Sequence, residues 1–148
     1  MGKVLQIGIS KELGGSISKI NQISVVKGKG IVGDRKYGEN NNIKKQITLI
    51  EIENIIYYNK ISSSKIDPLN FRRNIITENI NLNELLNKEF FVGSIKLKAH
   101  DLCRPCKYLE NLLKQKDFVK KLILKGGLRC EILKSGKICV ADVIKTYD

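Results

Sequence analysis

The sequence predicts one mainly β domain: a mostly antiparallel, barrel-like sheet with short peripheral helices. Three observations point there. Roughly eight short apolar runs recur along the chain, bounded by glycine, serine or asparagine clusters. Helical spacing of apolar residues is confined to a few brief stretches. The runs do not alternate regularly with helices, as a parallel doubly wound sheet would require. A chain of 148 residues with 42% apolar content suits a single domain, residues 1–148, with a core that needs no disulfide or metal staple.

Taken in order, Val4 to Ile9 reads as a strand, and Ile17, Ile20, Ile23, Val25 and Val26 mark a second extended region. Gly28 to Asp34 is a glycine-punctuated loop, and Asn40-Asn41-Asn42 an exposed loop tip. Gln46 to Ile50 is a short strand, continued by a helix from Glu51 to Lys60. Ser62 to Pro68 connects to a strand from Phe71 to Thr77. Asn81 followed by Glu84 approximates a capping box for a short helix over 82–86. Glu89 to Val92 and Ile95 to Ala99 are strands joined at Gly93-Ser94. The spacing of Leu109, Leu112, Leu113, Phe118 and Leu122 predicts a helix over 109–124, ended by Gly126-Gly127. Leu128 to Leu133 and Lys137 to Ile144 read as a final hairpin around Ser135-Gly136.

No apolar stretch approaches the ~20 residues a bilayer span needs. The first residues alternate like a strand and lack a signal peptide's apolar block. The expected location is the cytoplasm, where thiols stay reduced. The net charge of +12 suits an anionic partner. Its lysines are scattered through a chain crowded with Lys, Ile and Asn, with no dense basic block. That pattern favours compositional drift over a nucleic-acid surface.

Cys103-Arg104-Pro105-Cys106 is the sharpest local feature. Two thiols at this spacing can share a metal, form a redox disulfide, or present one activated thiolate. A structural zinc site needs about four ligands. Cys130 and Cys139 sit inside apolar strands, read as core residues and complete no zinc knuckle, so zinc is not expected. His100, the one histidine, leaves no histidine cluster or Ser-His-Asp triad. A thioredoxin-like motif would open a helix within a βαβ unit, and the sequence offers none here. Arg104 and Lys107 flank the thiols, and nearby cations favour the thiolate.

Arg72-Arg73-Asn74 is the second feature. If it lies on a strand, Arg72 and Asn74 share a face and could clamp a phosphate or a pterin-like heterocycle. From these residues alone, a solvated strand is the simpler reading. Gly30 to Asp34 and Gly126-Gly127 match no Walker or Rossmann fingerprint.

As an ordered set, these segments resemble the MOSC domain, named for the C-terminal domain of molybdenum-cofactor sulfurase. The matching pieces are Gly30-Ile31-Val32-Gly33-Asp34, Gln46 to Ile50 with Thr48, Phe71-Arg72-Arg73-Asn74-Ile75, Leu82 to Leu85, Val92-Gly93, Cys103 to Cys106 and Gly126-Gly127-Leu128. They span nearly the whole chain. The resemblance implies a pyruvate-kinase β-barrel-like fold that binds molybdenum cofactor (molybdopterin) or carries sulfur. In relatives such as the mitochondrial amidoxime-reducing components, the cysteine matching Cys106 ligates molybdenum, and residues matching Arg72 and Asn74 contact the cofactor. The resemblance thus makes Cys106 the metal ligand and, with Cys103 as a secondary thiol, the catalytic residue. Asp34, Thr48, Arg104, Gly126 and Gly127 are further cofactor-site candidates. Two departures stand out: Ala141-Asp142 replaces a C-terminal Gly-Asp, and Arg35-Lys36 follows the first Gly-Asp. The separate N-terminal barrel of larger relatives is not in this sequence.

Three functions follow as expectations. The first is a molybdenum-dependent oxidoreductase that reduces small N-hydroxylated compounds, fed by an external electron-donor protein. The second is a sulfur carrier with a persulfide on Cys106, serving a donor or acceptor protein. The third is a basic nucleic-acid-binding module.

Overall fold

The computed structural model describes residues 2–12, 15–38, 42–104 and 107–146, without the side chains of Lys107 and Tyr108. The described residues form strands β1 (Gly2–Ile9), β2 (Ser18–Ile20), β3 (Gln22–Val26) and β4 (Gly30–Ile31). Then come β5 (Ile47–Glu51), helix α1 (Ile52–Ser62), β6 (Ile75–Glu78), β7 (Glu89–Val92) and β8 (Ile95–Leu102). Helices α2 (Lys107–Leu112) and α3 (Phe118–Lys121) precede β9 (Leu128–Ile132), β10 (Gly136–Cys139) and β11 (Val143–Thr146).

The main sheet runs β11-β7-β8-β9-β5-β6-β1-β2, and β11 also pairs with β1. That second pairing closes seven strands into a barrel, with β2 appended to β1. Every pairing is antiparallel except β5 with β6, which α1 connects. A small sheet, β10-β3-β4, lies beside the barrel. The expected mainly β, mostly antiparallel barrel is the fold observed.

Strand alternation explains how one barrel wall serves two cores. In β5, Ile47 and Leu49 face the barrel interior, while Ile50 joins an outer cluster under the helices. In β6, Ile75 points in and Ile76 out. In β1, Val4 and Ile7 both join the interior despite their odd spacing, because the register with β6 slips between Val4 and Gln6. The outer cluster centres on Tyr58, Phe71 and Phe118, whose ring centroids lie 5.1–5.9 Å apart.

Four local expectations are corrected. Phe71 to Thr77 is not one strand: Pro68–Phe71 is a 3-10 turn, Arg72 follows with φ 63°, and β6 begins at Ile75. Pro68 starts that turn, and Asp67 caps it by accepting from Leu69 N–H. Second, Leu82–Leu85 is a 3-10 turn that Asn81 does not cap with its side chain; Glu51 Oε1 accepts the Leu82 N–H instead. Third, the helix expected over 109–124 breaks into α2 and α3, with Lys114 and Asp117 left-handed. The break presents Gln115 Oε1 to the buried Tyr58 hydroxyl at 2.8 Å and lets Leu109 and Phe118 meet in one cluster. Fourth, β9 and β10 form no hairpin: β9 joins β5 and β8, while β10 pairs with β3. Ser135 Oγ anchors that crossing by accepting from Lys27 N–H. The loop tip expected at Asn40 and Asn41 lies outside the described residues; Asn42 caps the 3-10 turn Ile43–Lys45.

Candidate functional site

Several connecting segments converge at one rim of the barrel. The segment after β1 brings Ser10, and that after β4 brings Asp34-Arg35-Lys36. The segment before β6 brings Arg72 to Asn74, and that after β8 brings Cys103 and Arg104. Gly126-Gly127 lead into β9. Hydrogen bonds tie these pieces together. Asp34, 7% exposed, accepts from Ser10 N–H at 3.0 Å through one carboxylate oxygen and from Lys36 N–H at 3.2 Å through the other. Both of its oxygens thus hold backbone, and its expected place in the site is structural at its core.

Asn74 is a three-way tie. Its Oδ1 accepts from Thr48 N–H and from Thr48 Oγ1, while its Nδ2 donates to Gly8 O at 3.1 Å. Its own N–H donates to Thr48 Oγ1 at 3.0 Å. Thr48 and Asn74 therefore fix the segment before β6 against β1 and β5. One proton of the Asn74 amide is left over for another acceptor.

The two arginines divide their roles. Arg73 Nε donates to Gly126 O at 2.9 Å and Nη1 to Phe71 O at 3.3 Å, which holds the loop before β9 against the loop before β6. Arg72 is half-buried, and its guanidinium makes no hydrogen bond or ion pair among the described residues. The strand-alternation argument for pairing Arg72 with Asn74 does not apply, since neither lies within β6.

Gly127 has the most confined backbone of the rim. Its φ is +97°, and a Cβ there would stand 1.8 Å from the Leu49 carbonyl oxygen. This close approach lets Gly127 O accept from Cys103 N–H at 2.7 Å. A glycine is needed both for the dihedral and for the space.

Cys103 is 3% exposed, and Cys106 lies outside the described residues. Lys36 has its amine within electrostatic reach of Cys103, Asp34, Arg35 and Arg73. The residue is exposed overall, yet protein around its amine pushes its pKa down, and Arg35 pushes it further. Arg35 Nε is buried with no hydrogen-bond partner among the described residues. A lysine within electrostatic reach of a thiol and two guanidiniums, with one buried donor unmet among the described residues, makes a cluster suited to an anion. Arg104 is exposed. Cys130 is fully buried, and burial, with Cys103 nearby, pushes its thiol well above the usual range. Cys139, expected in the core, is half-buried at the edge of the small sheet, where its Sγ lies 3.6 Å from Gln22 Oε1. His100 pairs with Glu131 at 2.8 Å on the barrel's outer face.

Sequence reasoning singled out Arg72 and passed over Lys36 and Arg73. Lys36 was visible only as a departure after Gly33-Asp34. A scattered lysine carries no signal until the fold brings it beside the thiol.

The MOSC domain model matches residues 28–145. The chain belongs to the MOSC domain family. This family is associated with molybdenum-cofactor binding. No curated protein matches the sequence. Among solved structures, the chain is similar to the YuaD protein from Bacillus subtilis, with TM-score 0.86 and 18% identity over 100% of this chain and 98% of that one. It is also similar to YiiM from Geobacillus stearothermophilus, with TM-score 0.80 and 14% identity, covering 100% and 76%. YiiM from Escherichia coli gives TM-score 0.75 and 12% identity, covering 99% and 70%. At these identities the likeness shows the fold. Across the MOSC match, Gly33-Asp34, Thr48, Asn74, Cys103 and Gly126-Gly127 all reach the same rim. No helix among the described residues is long and apolar enough to cross a membrane.

Proposed function

We propose that this MOSC protein binds molybdenum cofactor at the barrel rim, with Cys106 as the metal's thiolate ligand, and reduces small N-hydroxylated compounds. The observation that supports this most is Lys36, whose amine lies within electrostatic reach of the Cys103 thiol, Asp34, Arg35 and Arg73, with the Arg35 Nε unmet among the described residues. Such a cluster suits the cofactor's phosphate. The soft thiolate of Cys106, three residues along the chain from Cys103, suits molybdenum. When bound, the cofactor would supply the two-electron redox centre.

This chain's residues would do the rest. Lys36 and Arg35 would receive the phosphate, and Arg72 would add a guanidinium free of described partners. Asn74 and Thr48 would keep the rim in shape, and the spare Asn74 amide proton would meet a heterocycle acceptor. Arg73 and Gly127 would hold the segments on either side of the thiols. Cys103, tied through its N–H to Gly127, would fix the chain just after β8, three residues before Cys106. Electrons would come from an external donor protein.

Elemental and pterin analysis tests this on protein expressed in a host that makes the cofactor. Wild type should carry molybdenum and pterin in step. Cys106→Ser should stay folded and lose molybdenum, because a hydroxyl remains protonated where a thiol ionises. Arg72→Ala should weaken retention about ten- to a hundredfold, the worth of one charge-assisted bond. A Cys106→Ser protein with its full molybdenum load would end the proposal. Sulfane sulfur on Cys106 without molybdenum would favour the sulfur-carrier reading instead.

A further inference from the structure

A groove of about 790 Å³ runs along the outside of the barrel from the Cys103 end, in the size range of small-molecule sites. Its floor is the outer face of β8 and β9. One wall is the turn at Leu86-Asn87, and the other is α3 with the residues after it. Lys36, Arg35 and Arg73 do not line it. Cys103 borders both regions, so the groove adjoins the cation cluster and is separate from it.

The lining has two halves. Leu102, Val119 and Ile123 are apolar, and Ile123 is 68% exposed. Arg104 and Arg129 supply guanidinium groups that make no hydrogen bond or ion pair among the described residues. Arg129 is half-buried on β9, directly across the ladder from Asp101. Asp101 is exposed, and no ion pair joins the two. Among the described residues, the two guanidiniums are set against the Asp101 carboxylate and the Glu131 carboxylate held by His100, so the groove carries no large positive excess. A half-buried arginine with no partner among the described residues calls for an acceptor, and a guanidinium matches a carboxylate in two parallel hydrogen bonds. The remaining lining calls for an apolar body.

We propose that this groove is a binding site for small monoanions, carboxylates with an aryl or alkyl body. Arg129 and Arg104 would grip the carboxylate, and Val119 and Ile123 would cover the apolar part. The site stands independently of the cofactor reading. A groove without a large positive excess favours a monoanionic carboxylate over a phosphate dianion.

The test is calorimetric titration of the full chain at physiological salt with 4-phenylbutyrate and with its neutral amide, 4-phenylbutyramide. Molybdenum content and sedimentation are measured on the same samples. The carboxylate should bind at least about tenfold tighter than the amide, the worth of one charge-assisted bond. Arg129→Gln should shrink that ratio with molybdenum content unchanged, and Arg104→Gln should shrink it as well. Ile123→Ser, at an exposed position, should weaken both ligands alike and leave the ratio intact. Equal affinity for the two ligands, no binding of either, or a ratio untouched in both arginine variants would overturn the proposal. So would molybdenum lost with Arg129→Gln, which would give that arginine to the cofactor. A wild-type dimer that Ile123→Ser dissociates would make the apolar half a contact between copies, and would also overturn it.

Discussion

The barrel wall and the rim above it are built under opposite rules. In the wall, alternation places Ile47, Leu49, Leu97, Leu128, Cys130 and Ile132 in a sealed apolar interior where each is at most 1% exposed. Many residues share the burden there, so similar apolar side chains could replace one another at modest cost. At the rim, a few residues carry unique geometry. Gly127 admits no Cβ, Asn74 closes three segments, and Asp34 holds the backbone of Ser10 and Lys36. The wall supplies stability through quantity, and the rim supplies a site through a small number of fixed backbone positions.

The largest expected effect is at Gly127. Gly127→Ala adds a methyl 1.8 Å from the Leu49 carbonyl oxygen and strains a φ of +97°. Both β5 and the β8–β9 junction would have to move. The loss should exceed about 4 kcal/mol, at the far end of single-substitution effects. Urea unfolding checks it. A variant within about 1 kcal/mol of wild type would mean the rim is as tolerant as the wall.

Asn74→Ala comes next. It strips Thr48 N–H and Gly8 O of their partner, each in a part-buried setting. The cost should be about 2–4 kcal/mol, since unmet polar groups keep their desolvation penalty. Arg72→Ala sharpens the contrast: with no described partner to lose, it should change stability by less than about 0.5 kcal/mol. Equal losses in the two variants would show that Arg72 also braces the fold.

The thiols contrast the two regions directly. Cys130 is sealed in the wall and its thiol is pushed up, so it should resist alkylation until the protein unfolds. Cys139, half-buried at the edge of the small sheet, should react in the folded state. Mass spectrometry of alkylated native protein separates them, and native labelling of Cys130 would show that the wall opens readily.

These differences also explain what the sequence could show. Apolar runs such as Ile47 to Ile50 and Ile95 to Ala99 announce strands, because burial on a barrel wall demands them locally. Register and partner choice are not local. Nothing in Ser135-Gly136 reveals that β10 leaves β9 for β3, because the ladder it joins, Gln22 to Val25, is far away in sequence. The expected helix over 109–124 had the right apolar spacing, but the need of a buried Tyr58 hydroxyl decides its break at Gln115. Gly33-Asp34, Thr48, Asn74 and Gly126-Gly127 were legible as a set through the family resemblance. Their actual bonds were not, since Asn74 and Asp34 proved to hold backbone. Lys36 and Arg73 had no sequence signature, because a cation's role depends on what the fold sets beside it.

Ala141 offers a smaller test of the same rule. It sits at φ 78° between β10 and β11. Asp142 keeps the turn by accepting from Cys139 N–H at 2.8 Å. An alanine held left-handed costs about 1–2 kcal/mol. A glycine removes that strain but loosens the unfolded chain by about 0.4–1 kcal/mol. Strain should win, so Ala141→Gly should stabilise the protein by a few tenths to about 1 kcal/mol. A destabilised variant would mean the turn tolerates the Cβ without strain.

The smallest effect belongs to Glu51, where the wall hands over to α1. Its half-buried carboxylate has a pKa raised foremost by burial and further by Glu53; the Leu82 N–H and Lys125 oppose the rise. A carboxyl whose folded pKa lies above its unfolded value favours the folded state while it is protonated. Its contribution is therefore full below the unfolded value of about 4.3 and is lost as pH rises through the folded pKa. Glu51→Gln keeps an oxygen for the Leu82 N–H, which now meets Glu51 Oε1 at 3.1 Å, and removes the charge. The variant should gain stability over wild type at pH 7.5, by well under about 1 kcal/mol because the group is only half-buried. That gain should shrink toward zero by pH 4. Urea midpoints at the two pH values decide it. A gain of equal size at both would show that charge is not the cause. A loss at pH 7.5 would show that the bond to Leu82 needs the carboxylate's charge more than burial resists it.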